Sequence, residues 1–125
     1  MTRILLADPD PSARKALALL INHKLGLEDI HEVADSQSLL RQMTECQPDV
    51  LLVDSSLLAP LSQAEKQSLI VNRPDLRLFV LSINLEEAAQ AQSLGGVFIH
   101  KGSPGAQVLK HLKAWLQNKP GIDKV

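Results

Sequence analysis

QPDVLLVDSS, residues 47–56, sets four apolar side chains, Val50 to Val53, against a single carboxylate, Asp54, followed by Ser55 and Ser56. Pro48 and Asp49 mark where the run begins. An uninterrupted apolar run of this length between turn formers reads as a strand buried on both faces, the kind found in parallel sheets. An acid at the carboxyl end of such a strand either caps the next segment or reacts, and the rest of the chain decides between the two.

Toward the N-terminus, Asp35 or Ser36 caps a helix running through Cys46, with Leu39, Leu40 and Met43 on its inner face. Ile30 to Ala34 precedes it as a strand whose apolar character is interrupted by His31 and Glu32, which suits a sheet edge. Ser12 to Leu25 repeats Ala13, Ala16, Leu17, Leu20 and Ile21 at helical spacing and stops at Gly26. The first strand, Arg3 to Ala7, breaks at Asp8-Pro9-Asp10-Pro11, where two prolines forbid continuation and favour a helix start.

Toward the C-terminus the signal weakens. Pro60 and Ser62 suggest a loop and a cap, and Ala64, Leu69 and Ile70 a modest helix before Arg73. Leu76 to Leu81 is a second buried-looking strand and ends at Ser82. Asn84 can cap a helix over Leu85 to Leu94, closed by Gly95 and Gly96. Val97 to His100 makes a short last strand running into Lys101-Gly102. Ser103-Pro104 reads as a cap with proline at the first helical position of a helix to about Gln117, carrying Val108, Leu109, Leu112, Trp115 and Leu116 on one side. The Trp115 side is core or a homodimer surface. Residues 120–125 read as a frayed tail or the start of a linker after a domain over residues 1–119.

Five strands alternating with five helices predict a doubly wound α/β domain with a parallel sheet covered on both faces. Right-handed crossovers then bring every strand's carboxyl end to one edge, although alternation alone leaves the strand order open. At 125 residues the chain is one domain, large enough for a core without staples. A formal net charge of -1 gives no reason to expect the domain to follow a nucleic-acid backbone or a charged membrane. A single cysteine, Cys46, excludes an internal disulfide and fits a reducing, cytoplasmic setting, and the apolar run at the N-terminus is too short for a signal peptide or a membrane span. Phe79, Phe98 and Trp115 are the only aromatics, a poor supply for stacking bases or a flavin. His23, His31, His100 and His111 share no metal-ligand spacing; His100 reads as a partly exposed strand residue.

The strand ends carry the chemistry: Asp8 and Asp10 after the first, Asp54 after the third, Ser82 after the fourth and Lys101 after the fifth. Ligands of open α/β sheets bind outside these ends. Two unit charges about 4 Å apart repel by roughly 4 kcal/mol at an effective dielectric near 20, so clustered carboxylates need a cation. Lys101 or a divalent ion would supply it, and oxygen-only ligands suit Mg²⁺ with phosphate completing its shell. The chemistry implied is the handling of a phosphoryl group.

This constellation resembles the receiver domains of two-component response regulators, over residues 3 to about 118. The resemblance implies a flavodoxin-like sheet of order 2-1-3-4-5. It implies a domain that is no enzyme beyond self-catalysed phosphorylation and dephosphorylation. Asp54 would be the phosphoacceptor, taking its phosphoryl group from a sensor histidine kinase, a phosphotransfer protein or a small donor. Ser82 would hydrogen-bond the phosphoryl oxygens and Lys101 would pair with the added charge. Asp8, Asp54 and the backbone carbonyl of Ser56 would hold Mg²⁺. Phe98, three residues before Lys101, stands at the aromatic switch position, and a downstream effector protein or domain would read the change. No direct nucleic-acid or membrane contact is implied.

The chain departs from the family pattern in three places. Pro9 stands where receivers carry a second acid, and Asp10 would compensate as a Mg²⁺ ligand if the turn carries it inward. Leu58 and Gly102 stand where the family favours proline. One alternative is a pseudo-receiver, a protein-binding module with impaired Mg²⁺-dependent phosphorylation. A more remote one is a phosphatase of the haloacid-dehalogenase type using Asp8 as nucleophile and Asp10 as general acid, which would leave Asp54 without a role and lacks a late acidic pair.

Overall fold

The computed structural model describes residues 2–71, 73–102 and 104–118. Five strands, β1 (Ile4–Ala7), β2 (Ile30–Val33), β3 (Val50–Asp54), β4 (Arg77–Ser82) and β5 (Val97–His100), form one parallel sheet in the order β2-β1-β3-β4-β5. β2 lies at an edge, as its polar interruptions predict.

Side-chain alternation along the strands builds two cores. Ile4, Leu6, Leu52, Phe79, Leu81 and Ile99 point to one face, where Leu17 and Ile21 of α1 (Pro11–Leu25) and Val108 and Leu112 of α6 (Pro104–Asn118) cover them. Leu5, Ala7, Leu51, Val53, Leu78 and Val80 point to the other, against α2 (Ser36–Glu45), α3 (Ser55–Leu58) and α5 (Ala88–Ser93), with Leu61 and Leu69 joining from either side of α4 (Gln63–Ser68). β3 is buried on both faces, which is why its sequence runs apolar without a break. The two helical layers differ in charge. α1 and α6 carry Arg14, Lys15, Lys24, Lys110 and Lys113 and no acid, whereas the opposite layer carries Glu45, Glu65, Glu86 and Glu87 against Arg41 and Lys66.

Local signals account for most element ends. Asp10 caps α1 by accepting from the Ser12 amide, with Pro11 opening the helix, and Gly26 closes it at φ 68°, donating to the Asn22 carbonyl. Asp35 caps α2 through the Ser38 amide at 2.7 Å. Ser62 and Glu65 bond each other's backbone amides in a capping box at the start of α4.

Two expectations change. A short helix, α3, begins immediately after β3 where none was expected, and the modest helix behind the Ser62 cap is α4, which already ends at Ser68. The helix expected over Leu85 to Leu94 opens with a 3₁₀ turn (Leu85–Glu87), and Asn84 makes no side-chain cap. The Asn84 amide instead donates to Ser82 Oγ, and without a cap the first turn tightens into i+3 bonds, Glu87 to the Asn84 carbonyl. Ser103 and the tail after residue 118 lie outside the described residues. No described helix is long and apolar enough to cross a membrane.

Candidate functional site

Strand register assembles the site. Ala7 pairs with Val53, so Asp8 and Asp54 leave adjacent strands at the same level. Asp54 pairs with Leu81, and Ser82 with His100, which puts Ser82 one step and Lys101 two steps further along the same edge. The edge predicted from the strand ends is therefore a single cluster.

Lys101 joins the acids. Its ammonium donates to Asp8 Oδ2 at 2.8 Å and to Asp54 Oδ2. Asp8 is buried, with 6 % of its surface exposed; its other oxygen accepts from the Asp10 amide at 2.8 Å. Arg14 of α1 reaches the Asp8 carbonyl at 2.6 Å and ion-pairs with Glu32 of β2, fixing the chain where β1 turns into α1. Asp54 Oδ1 accepts from the Ser56 amide at 2.9 Å, so the same residue ends β3, caps α3 and faces Lys101.

Burial pushes the Asp54 carboxyl up. The Lys101 hydrogen bond, the Ser56 bonds and the Lys101 charge outweigh it and hold the group below the usual carboxylate range. Burial likewise pushes the Lys101 ammonium down, but bonds to Asp54 and Asp8 raise it above its usual value. Asp54 is thus an ionised carboxylate at neutral pH, the protonation state a nucleophile requires.

A cleft of about 370 Å³ opens beside Asp54 and Lys101, lined also by Ser56, Ser82, Asn84 and Glu87. Ser82 is buried and its Oγ accepts from the Asn84 amide at 3.0 Å, which leaves its hydroxyl hydrogen to donate elsewhere. Phe98 is half-buried on the α5 side of the sheet and lines a neighbouring cleft with Leu85, His100 and Gly102. Asp10 is not drawn in. It is exposed and its carboxylate caps α1, while Pro9 brings no side-chain oxygen.

Mg²⁺ would have to rest on the donors that remain. Among the described residues no group of three His, Cys, Asp or Glu side chains could hold a metal. Two carboxylates, Asp8 and Asp54, sit together with one lysine between them, a cluster with one formal negative charge left over. The Ser56 carbonyl has Pro60 four residues on, which has no amide to bond it. Two carboxylates and a carbonyl fit an ion that normally keeps several waters.

Asn84, Glu87 and His100 were not anticipated as site neighbours. The first two reach the cleft through the turn after β4, whose shape no periodicity signals. His100 is marked in the sequence only by a glycine two residues later.

No protein-family model matches the chain, and no curated protein matches it in sequence. Solved structures match in shape. The N-terminal domain of an uncharacterized protein from Wolinella succinogenes superposes with a TM-score of 0.77 at 19 % identity, over 94 % of this chain and 95 % of that one. A LuxR-family two-component response regulator from Aurantimonas sp. gives a TM-score of 0.74 at 23 % identity, over 94 % of this chain and 87 % of its own. The chemotaxis response regulator CheY4 of Vibrio cholerae gives 0.74 at 18 % identity, over 91 % and 98 %. The chain has the flavodoxin-like fold of response-regulator receiver domains.

Proposed function

We propose that the chain is a phosphoaccepting receiver domain in which Asp54 takes a phosphoryl group from a phosphohistidine of a sensor kinase or phosphotransfer protein. The observation that carries this reading is the Lys101 ammonium bridging Asp8 and Asp54 beside an open cleft containing Ser82. Attack by the Asp54 carboxylate forms an O–P bond as the donor's P–N bond breaks, and the imidazole nitrogen leaves with its electron pair to be protonated. Lys101 shifts from the carboxylate to the phosphoryl oxygens, and Ser82 donates its hydroxyl hydrogen to one of them. Asp8, Asp54 and the Ser56 carbonyl would hold Mg²⁺, which when bound neutralises charge on the phosphoryl oxygens. The added charge beside the 3₁₀ turn and Phe98 then changes the surface offered to an effector.

Incubation with phosphoramidate and Mg²⁺, followed by intact-mass measurement, should add one phosphoryl group to the wild type and none to Asp54→Asn. An unmodified wild type would sink this reading. It would favour a protein-binding module with the same fold, a second reading that rests on Pro9 and the outward-facing Asp10.

A further inference from the structure

The β4–β5 ladder ends where the Lys101 amide donates to the Ser82 carbonyl at 3.0 Å. Beyond that rung the two chains diverge, one toward Ile83 and Asn84, the other toward Gly102. The His100 ring lies in the opening. Its Nδ1 accepts from the Gly102 amide at 3.0 Å, and its Nε2 lies 3.1 Å from the Ile83 carbonyl. A backbone amide can only donate, so Nδ1 carries no proton. Nε2 therefore carries the hydrogen and donates it to Ile83. Both bonds are made at once by a single form, the neutral Nε2–H tautomer.

Position 102 is fitted to this ring. A Cβ built on Gly102 would meet His100 Nδ1 at 2.9 Å and Cε1 at 3.2 Å, so a larger residue would displace the imidazole. A proline there would also have no amide to donate. The ring and the glycine form one device, an extra cross-strand rung made of a side chain.

Two site groups hang on the rung. Ser82 precedes Ile83, and Lys101 lies between His100 and Gly102. We infer that His100, in its Nε2–H tautomer, is a positioning residue that ties the exits of β4 and β5 and so sets the reach of Lys101 toward Asp54 and Asp8. The functional consequence rests on the phosphoacceptor reading; the tie itself does not.

Imidazole ¹⁵N correlation spectra of the intact chain should show His100 with a protonated Nε2 and an acceptor Nδ1. In His100→Ala the Gly102 amide should exchange at least about tenfold faster, and the Lys101 ammonium signal, visible only while the ion pair holds it, should be lost. Asn at position 100 places an acceptor oxygen near the Nδ1 position but no donor within reach of Ile83, so His100→Asn should restore Gly102 protection and leave the Lys101 signal lost. Phosphoryl uptake from phosphoramidate should slow on the order of tenfold in both His100→Ala and His100→Asn. An Nδ1–H tautomer, or an alanine variant with wild-type Gly102 protection and Lys101 signal, would overturn the inference. A wild type that takes no phosphoryl group would remove only the phosphoacceptor reading, because tautomer, exchange and ammonium signal are read without it.

Discussion

Lys101 brings one positive charge to two carboxylates, each of which also holds a backbone amide. Replacing it with alanine leaves Asp8 and Asp54 close together without a cation. The expected loss in unfolding free energy at neutral pH is about 3 kcal/mol, the lower end of what breaking a buried pair costs. The pH dependence comes from the two shifts. Asp54 is held below its ordinary value of 3.8, so its contribution is whole above that value and disappears as pH falls through the lower folded-state value. Lys101 is raised above 10.5, so its contribution is whole below that value and disappears as pH rises through the folded-state value. Urea titrations should therefore show the Lys101→Ala deficit persisting across the neutral range and shrinking in acid, as Asp54 protonates. At this scale the sequence was informative for Asp8, Asp54, Ser82 and Lys101, because each stands directly after an apolar strand. Asp10 was not legible in the same way. Whether an acid beside proline turns inward or caps the next helix depends on turn geometry, and here the free Ser12 amide takes it.

Elements differ in how far their ends can be read from residue order. The start of α4 is explicit, since Ser62 and Glu65 stand at the spacing at which each side chain reaches the other's amide. Ser62→Ala should cost about 1 kcal/mol, and hydrogen exchange should show the effect concentrated at the Glu65 and Lys66 amides rather than in the sheet. α3 left no such mark. Its four residues are too few for a period, and it forms because Asp54 at the end of β3 is already placed to cap it. The 3₁₀ opening before α5 was hidden for a related reason: Asn84 looks like a cap, but its side chain makes no cap bond and its backbone N–H donates to Ser82 Oγ. Where a turn is shaped by a partner two residues away and facing the site, propensity does not report it.

For the whole molecule, alternation of strands and helices was enough to predict layers, but not the neighbours of each strand, because every buried strand here is apolar on both sides. The order came from resemblance, and the sheet has it. Phe79 at the centre of β4 is fully buried against α6, near His111, whose ring burial pushes toward the neutral form, with Lys110 and Arg77 adding to the effect. Phe79→Ala should cost about 3–5 kcal/mol, lowering the urea midpoint by every probe together, in contrast to the local effect of Ser62→Ala. The two helical layers set a final property on this scale. Their opposite charge balance gives a body that is almost neutral in sum an electric dipole along the sheet normal, and such a dipole feels a torque near any charged surface. A partner's field would therefore turn the domain before contact, presenting α1 and α6 to an acidic approach and the α4–α5 side to a basic one, and the orientation would fade as salt shortens the Debye length.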